Sequence, residues 1–178
     1  MIKHCAQARL KENATHLRLV ASLLIPFLLS GSQIVAALDF DECGIESAVA
    51  FEDWRGWNKT SPTPYLSGEH SSWATIYFDE LAGESSQSAN GQFVPCAKIV
   101  KVHFTNAGGT AIRKLFLMAK MPAGFDPDHG DWWYGNYDAS IGAGMIEQGI
   151  VEGCISCHER ASDLDYVFFK EQIEKSME

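Results

Sequence analysis

The stretch Cys154-Ile155-Ser156-Cys157-His158 constrains this chain more than any other. Two cysteines separated by two residues, followed at once by a histidine, form the pattern for covalent attachment of a c-type haem. Each thiol can add to a vinyl group of the porphyrin, and the adjacent histidine can then ligate the iron. One turn of backbone must reach both vinyl positions while His158 lies under the metal, so the spacing is a chemical requirement. The competing readings are a redox dithiol and half of a zinc site. The haem reading also requires maturation outside the cytoplasm, which the other end of the chain can speak to.

Residues 1–37 read as a signal peptide. Lys3, Arg9, Lys11 and Arg18 form a basic start, Leu19 to Leu29 an apolar core interrupted by Ser22 and Pro26, and Val35-Ala36-Ala37 a cleavage site of small residues. The alternative is an uncleaved membrane anchor, but the apolar run falls short of the about 20 residues that a spanning helix needs. The expected location is the periplasm or the exterior of the cell. Residues 38–178 have the length of one domain. The signal holds four of the 14 basic and one of the 23 acidic residues, which leaves 10 against 22 and a formal charge of −12 on the remainder. Such a balance disfavours nucleic acid and anionic membranes. It suits a basic partner, or simply a solvated acidic face. Cys5 falls in the signal, and Cys43 and Cys96 remain as an even pair outside the motif. In an oxidising compartment they read as a disulfide, with two separate buried thiols as the alternative.

Ile45, Val49 and Trp54 recur at helical spacing and predict a helix near 43–54. Arg55 to Glu69, with Gly56, Pro62, Pro64 and Gly68, reads as loop. Alternation over Trp73 to Phe78 and over Lys98 to Phe104 predicts two strands. The near-continuous apolar run Leu115 to Met121 fits a buried strand or a buried helix segment; its length and flanking turns favour the strand. Asp79 to Gly91 reads as a loop or short irregular helix, and Trp132 to Tyr137 as a short aromatic strand. Ile141 to Gly153 leads into the haem helix, and residues 170–178 read as a frayed terminal helix. The expected fold class is α+β, mainly β: an antiparallel sheet of four to five strands with an N-terminal helix and a C-terminal haem-binding helix.

From Trp54 to Lys170 the chain resembles the cytochrome P-460 family, which also contains the cytochromes c-prime-beta. The marks are Trp73-Ala74-Thr75-Ile76-Tyr77-Phe78, Phe93 before a strand through Val100-Lys101, Phe116 to Lys120, Gly130-Asp131-Trp132, the haem motif, and Asp165-Tyr166-Val167-Phe168. The resemblance implies a homodimer of mainly antiparallel sheet and a five-coordinate iron with the motif histidine as its only protein ligand. In one branch a lysine is linked to the porphyrin and hydroxylamine is oxidised. In the other the link is absent, phenylalanine faces the iron, and nitric oxide is the suspected ligand.

Lys101 falls where the cross-linking lysine would sit, on the opposite strand face from Val100 and Val102; an ordinary solvated lysine is the alternative. Two departures bear on activity. Pro95-Cys96-Ala97 replaces the family's Asp-Gly turn, and Phe116 stands where the hydroxylamine-oxidising branch carries a carboxylate, which removes the obvious proton acceptor. Phe116 is therefore a candidate wall opposite His158. An electron carrier with six-coordinate iron needs a second strong ligand. Met118 and Met121 read as core filler, Met145 is kept as a candidate ligand, His103 as a satisfied histidine, and His70 and His129 as loop residues. Arg55 and Arg113 are minor candidates for a charge on that side. The expected function is an exported mono-haem c-type cytochrome, with haem held by Cys154 and Cys157 and ligated by His158, that binds or oxidises hydroxylamine or nitric oxide and exchanges electrons with a redox partner protein. The alternative is a non-enzymatic protein that carries electrons or sequesters nitric oxide.

Overall fold

The computed structural model describes residues 43–45, 48–68, 72–139 and 144–178. The expected signal peptide, Cys5, His70 and Ile141 lie outside the described residues. Seven strands form one antiparallel sheet: β1 (Asn58–Lys59), β2 (Tyr65–Ser67), β3 (Ser72–Phe78), β4 (Lys98–Phe104), β5 (Ile112–Lys120), β6 (Trp132–Asp138) and β7 (Gly144–Gly149). The order is β1-β3-β4-β5-β6-β7, with β2 also paired to β3. Helices α1 (Glu80–Ser86), α2 (Glu152–His158) and α3 (Lys170–Ser176) complete the fold.

Strand alternation sorts the side chains into two cores. Ile76, Lys101, Phe116 and Asn136 stand in one cross-strand row, and Phe78, Ile99, Met118 and Tyr134 in the next row on the same face. This face is covered by the helices and the turn before α3: Ala82 of α1, Ile155 of α2, Val167 ahead of α3 and Ile173 of α3 pack into its core. The other face carries Val100, Val102, Leu117 and Ala119, covered by Phe51, Trp54 and the segment around Cys43 and Ile45. A one-residue shift of register in β4 would exchange Lys101 for Val100 or Val102 and ruin both cores.

Several expectations are corrected by these elements. The N-terminal helix is a 3-10 helix, Ala48–Gly56. The stretch read as loop after Arg55 contains β1 and β2, and the approach to the motif contains β7. The C-terminal helix is anchored rather than frayed, because Ile173 is fully buried. One expectation is met: Cys43 and Cys96 form the disulfide, with their Cα atoms 5.0 Å apart.

Candidate haem site

Helix α2 places the motif. Its first turn closes through Cys154 N–H and Ile155 N–H, both donating to the Val151 carbonyl. Ile155, 1 % exposed, anchors it to the sheet core, a burial that contributes roughly 1.5–3 kcal/mol. Cys154, Cys157 and His158 then share one helix face through their i, i+3 and i, i+4 spacing. All three line a cleft between α2 and the sheet.

His158 is set for ligation. Its Nδ1 lies 2.6 Å from the Tyr166 carbonyl oxygen. A carbonyl only accepts, so Nδ1 carries a proton, and in the neutral ring Nε2 keeps the lone pair. The ring is held between Tyr134, at 5.2 Å between centroids, and the edge of Phe168, at 5.4 Å. Cys154 and Cys157 are not bridged to each other. Burial pushes the Cys154 thiol up to about 11, with Glu147 and Cys157 adding in the same direction.

The sheet forms the facing wall. Ile76, Ile99, Lys101, Phe116 and Met118 reach the cleft from three adjacent strands. Lys101 Nζ lies 5.0 Å from the centre of the Phe169 ring, so the lysine is in the same cleft as His158, as its strand parity predicted. Phe116 packs on His103, with centroids 4.8 Å apart. His103 is buried and its Nδ1 lies 2.9 Å from Ser72 Oγ. Met118 reaches the cleft wall while also packing in the core. Met145 does not: it packs against the core on the other face of the sheet. Arg55 stacks over Trp54 on that other side, and Arg113 is exposed.

The residues fit a haem. The walls are largely apolar, two thiols and an imidazole come from the helix side, and the sheet forms the opposite side. Tyr134 Oη and Asn136 Oδ1 are buried on the sheet face with no hydrogen-bond partner, and buried polar atoms of this kind call for a bound group. Desolvation holds the Tyr134 hydroxyl well above its usual pKa, so it stays protonated. By contrast, no group of three or more His, Cys, Asp and Glu among the described residues could hold a bare metal ion, which leaves the half-zinc-site reading without further ligands.

The loop behind His158 escaped the sequence reading as a functional element. Asp165 and Tyr166 both have left-handed backbone, with φ of 51° and 65°. The Asp165 carboxylate accepts from Phe93 N–H at 2.7 Å and from Lys120 Nζ at 2.7 and 2.9 Å. Its carbonyl accepts from Trp132 Nε1 at 2.8 Å. Gly130 leaves room for the Tyr166 ring, since a Cβ there would come within 2.6 Å of it. Asp165-Tyr166 and Gly130-Asp131-Trp132 stood among the marks of resemblance. Lys120 gave a local signal only as a charge at the end of an apolar strand.

A mainly β protein with an apolar cleft between its central strands and a helix that carries two cysteines and a histidine is, as a class, a candidate sheet-built haem protein. Comparison with protein-family models matches residues 51–169 to Cytochrome P460. The chain belongs to that family, whose cofactor is haem. Comparison with curated proteins returned no match.

Proposed function

We propose that this chain is an exported mono-haem c-type cytochrome whose iron has His158 as its only protein ligand and whose opposite face binds or oxidises a small nitrogen compound, hydroxylamine or nitric oxide. The observation that carries the reading is the His158–Tyr166 hydrogen bond in a cleft that also holds Cys154 and Cys157. It presents an imidazole lone pair beside two thiols at the attachment spacing. When bound, haem iron supplies a redox-active Lewis acid that takes a nitrogen lone pair and exchanges electrons.

The residues have distinct tasks. Cys154 and Cys157 would hold the porphyrin, each through a thioether to a vinyl carbon with the thiol hydrogen passing to the other vinyl carbon. His158 would hold the iron, and the Tyr166 carbonyl fixes its tautomer and would raise its basicity as a ligand. Phe116 and Ile76 keep the facing side apolar, which admits small neutral molecules and disfavours anions. Lys101 is either joined to the porphyrin or a cation at the side of the cleft; the first fits hydroxylamine oxidation and the second fits ligand binding. Secretion after cleavage near residue 37, a homodimer and a basic redox partner belong to the same proposal.

A second reading has one observation in its favour. Met118 lines the cleft, and a thioether ligand there would give a six-coordinate electron carrier. The optical spectrum separates the two. A five-coordinate ferrous spectrum without added ligand supports the open site; a six-coordinate low-spin spectrum sinks it. The mass of the haem peptide reads the Lys101 link. His158→Ala should retain covalent haem and lose the iron–histidine coordination, and an unchanged spectrum would refute the ligand assignment.

A further inference from the structure

The Tyr166 carbonyl sets which nitrogen of His158 carries the proton, and that carbonyl belongs to an uncommon turn. Consecutive non-glycine residues in left-handed backbone are each disfavoured, and they persist only where surrounding contacts over-determine them. Here the contacts come from the far end of the sheet. Lys120, the last residue of β5, is 8 % exposed and grips both Asp165 carboxylate oxygens. Phe93 N–H binds one of the same oxygens, and Trp132, the first residue of β6, binds the Asp165 carbonyl. The next residue, Tyr166, donates its N–H to the Ala161 carbonyl at 2.8 Å and its hydroxyl to the Asp128 carbonyl at 3.1 Å. Both ends of the Asp165–Tyr166 unit are therefore pinned, and the Tyr166 carbonyl is left aimed at His158 Nδ1.

We propose that the buried Lys120–Asp165 ion pair is a positioning device for the proximal histidine: it holds the Tyr166 carbonyl in place and thereby sets the donor strength of His158 toward iron. The inference rests on the reading of His158 as the haem ligand. A histidine that donates Nδ1–H to a well-placed acceptor is a more basic ligand and favours the ferric state. Releasing the turn weakens that bond and favours the ferrous state.

Lys120→Met gives a test with opposed signs. Removing a buried positive charge near a haem, by itself, stabilises ferric iron and lowers the reduction potential. Loss of positioning raises it. We expect Lys120→Met in the holoprotein to raise the potential and to lower the iron–histidine stretching frequency of the ferrous form. Trp132→Phe, which removes a donor to the turn without changing charge, should move both readouts the same way and keeps the test open should the lysine variant fail to fold. A lowered potential with an unmoved stretching frequency would overturn the positioning role and leave only a field effect. An unmoved frequency in both variants would overturn it as well. Wild-type protein without a ferrous iron–histidine band would sink the His158 assignment itself, and this inference with it.

Discussion

His129 sits between carboxylates. Its Nδ1 lies 2.9 Å from Asp126 Oδ1 and its Nε2 3.5 Å from Glu159 Oε1. The Asp126 hydrogen bond, with added attraction from Asp126, Glu159 and Asp128, raises its pKa above the ordinary histidine value. A raised folded-state value means that protonated His129 favours the folded chain. That contribution is complete below the unfolded pKa of about 6.5 and is lost as pH rises through the folded value. Urea midpoints of the wild type and of His129→Gln should therefore lie furthest apart at mildly acid pH and converge in alkali. A constant separation across that range would mean that hydrogen bonding without charge accounts for the contact. At this scale the sequence was most readable where chemistry sets the spacing. The spacing of Cys154, Cys157 and His158 marked one site, and the structure places all three on one cleft, while strand parity alone put Lys101 and Phe116 on one face. Asp165 and Lys120 both stood within the marks of resemblance, but their pairing was not readable, because they meet across 45 residues. Met145 was misjudged for a related reason: its strand went unrecognised, so its face could not be known.

Elements with their own local signal were legible, and edge elements were not. The central strands β3, β4, β5 and β6 are long, apolar or aromatic, and bounded by turns. β1 has two residues and β2 three, and β7 is bracketed by Gly144 and Gly149 with Ile146 exposed. Each pairs with a single neighbour, so pairing rather than intrinsic propensity creates it. The short helix α1 depends on one side chain. Asp79 Oδ1 accepts from Ala82 N–H at 2.8 Å and from Lys98 N–H, the first residue of β4, at 3.1 Å. One carboxylate thus caps a helix and fastens it to a strand. Asp79→Ala should lower unfolding stability by about 1–2 kcal/mol, the range for a lost N-cap, as read by urea denaturation. Asp79→Asn, which retains an acceptor, should recover most of that loss. Equal losses in the two variants would show that the carboxylate charge, not the cap, is what α1 requires. The anchoring of α3 was hidden for the same reason as the edge strands: Ile173 is a single apolar residue among charges, and only the core it enters reveals its task.

Across the whole molecule, the Cys43–Cys96 bridge ties the segment that covers one face of the sheet to the loop that leads into β4. Counting cysteines left over from the motif suggested the pair, while distance in space, which decides bonding, was beyond the sequence. The bridge spans 53 residues, and a loop of that length gives about 4 kcal/mol of stabilisation in the chain-entropy account, with about 2–4 kcal/mol typical in practice. Phe51 and Trp54 also hold this segment, through the core they share with Val100, Val102 and Trp133. The cross-link and the apolar contacts therefore act on the same piece of chain. The Cys43→Ala/Cys96→Ala double variant should lose about 2–4 kcal/mol of unfolding free energy in urea while keeping the haem spectrum, because neither cysteine lines the cleft. A loss below about 0.5 kcal/mol, the level of an ordinary surface substitution, would mean that Phe51 and Trp54 alone hold the segment in place. A changed spectrum would mean that the two faces of the sheet are mechanically coupled, so that the covering segment on one side governs the iron on the other.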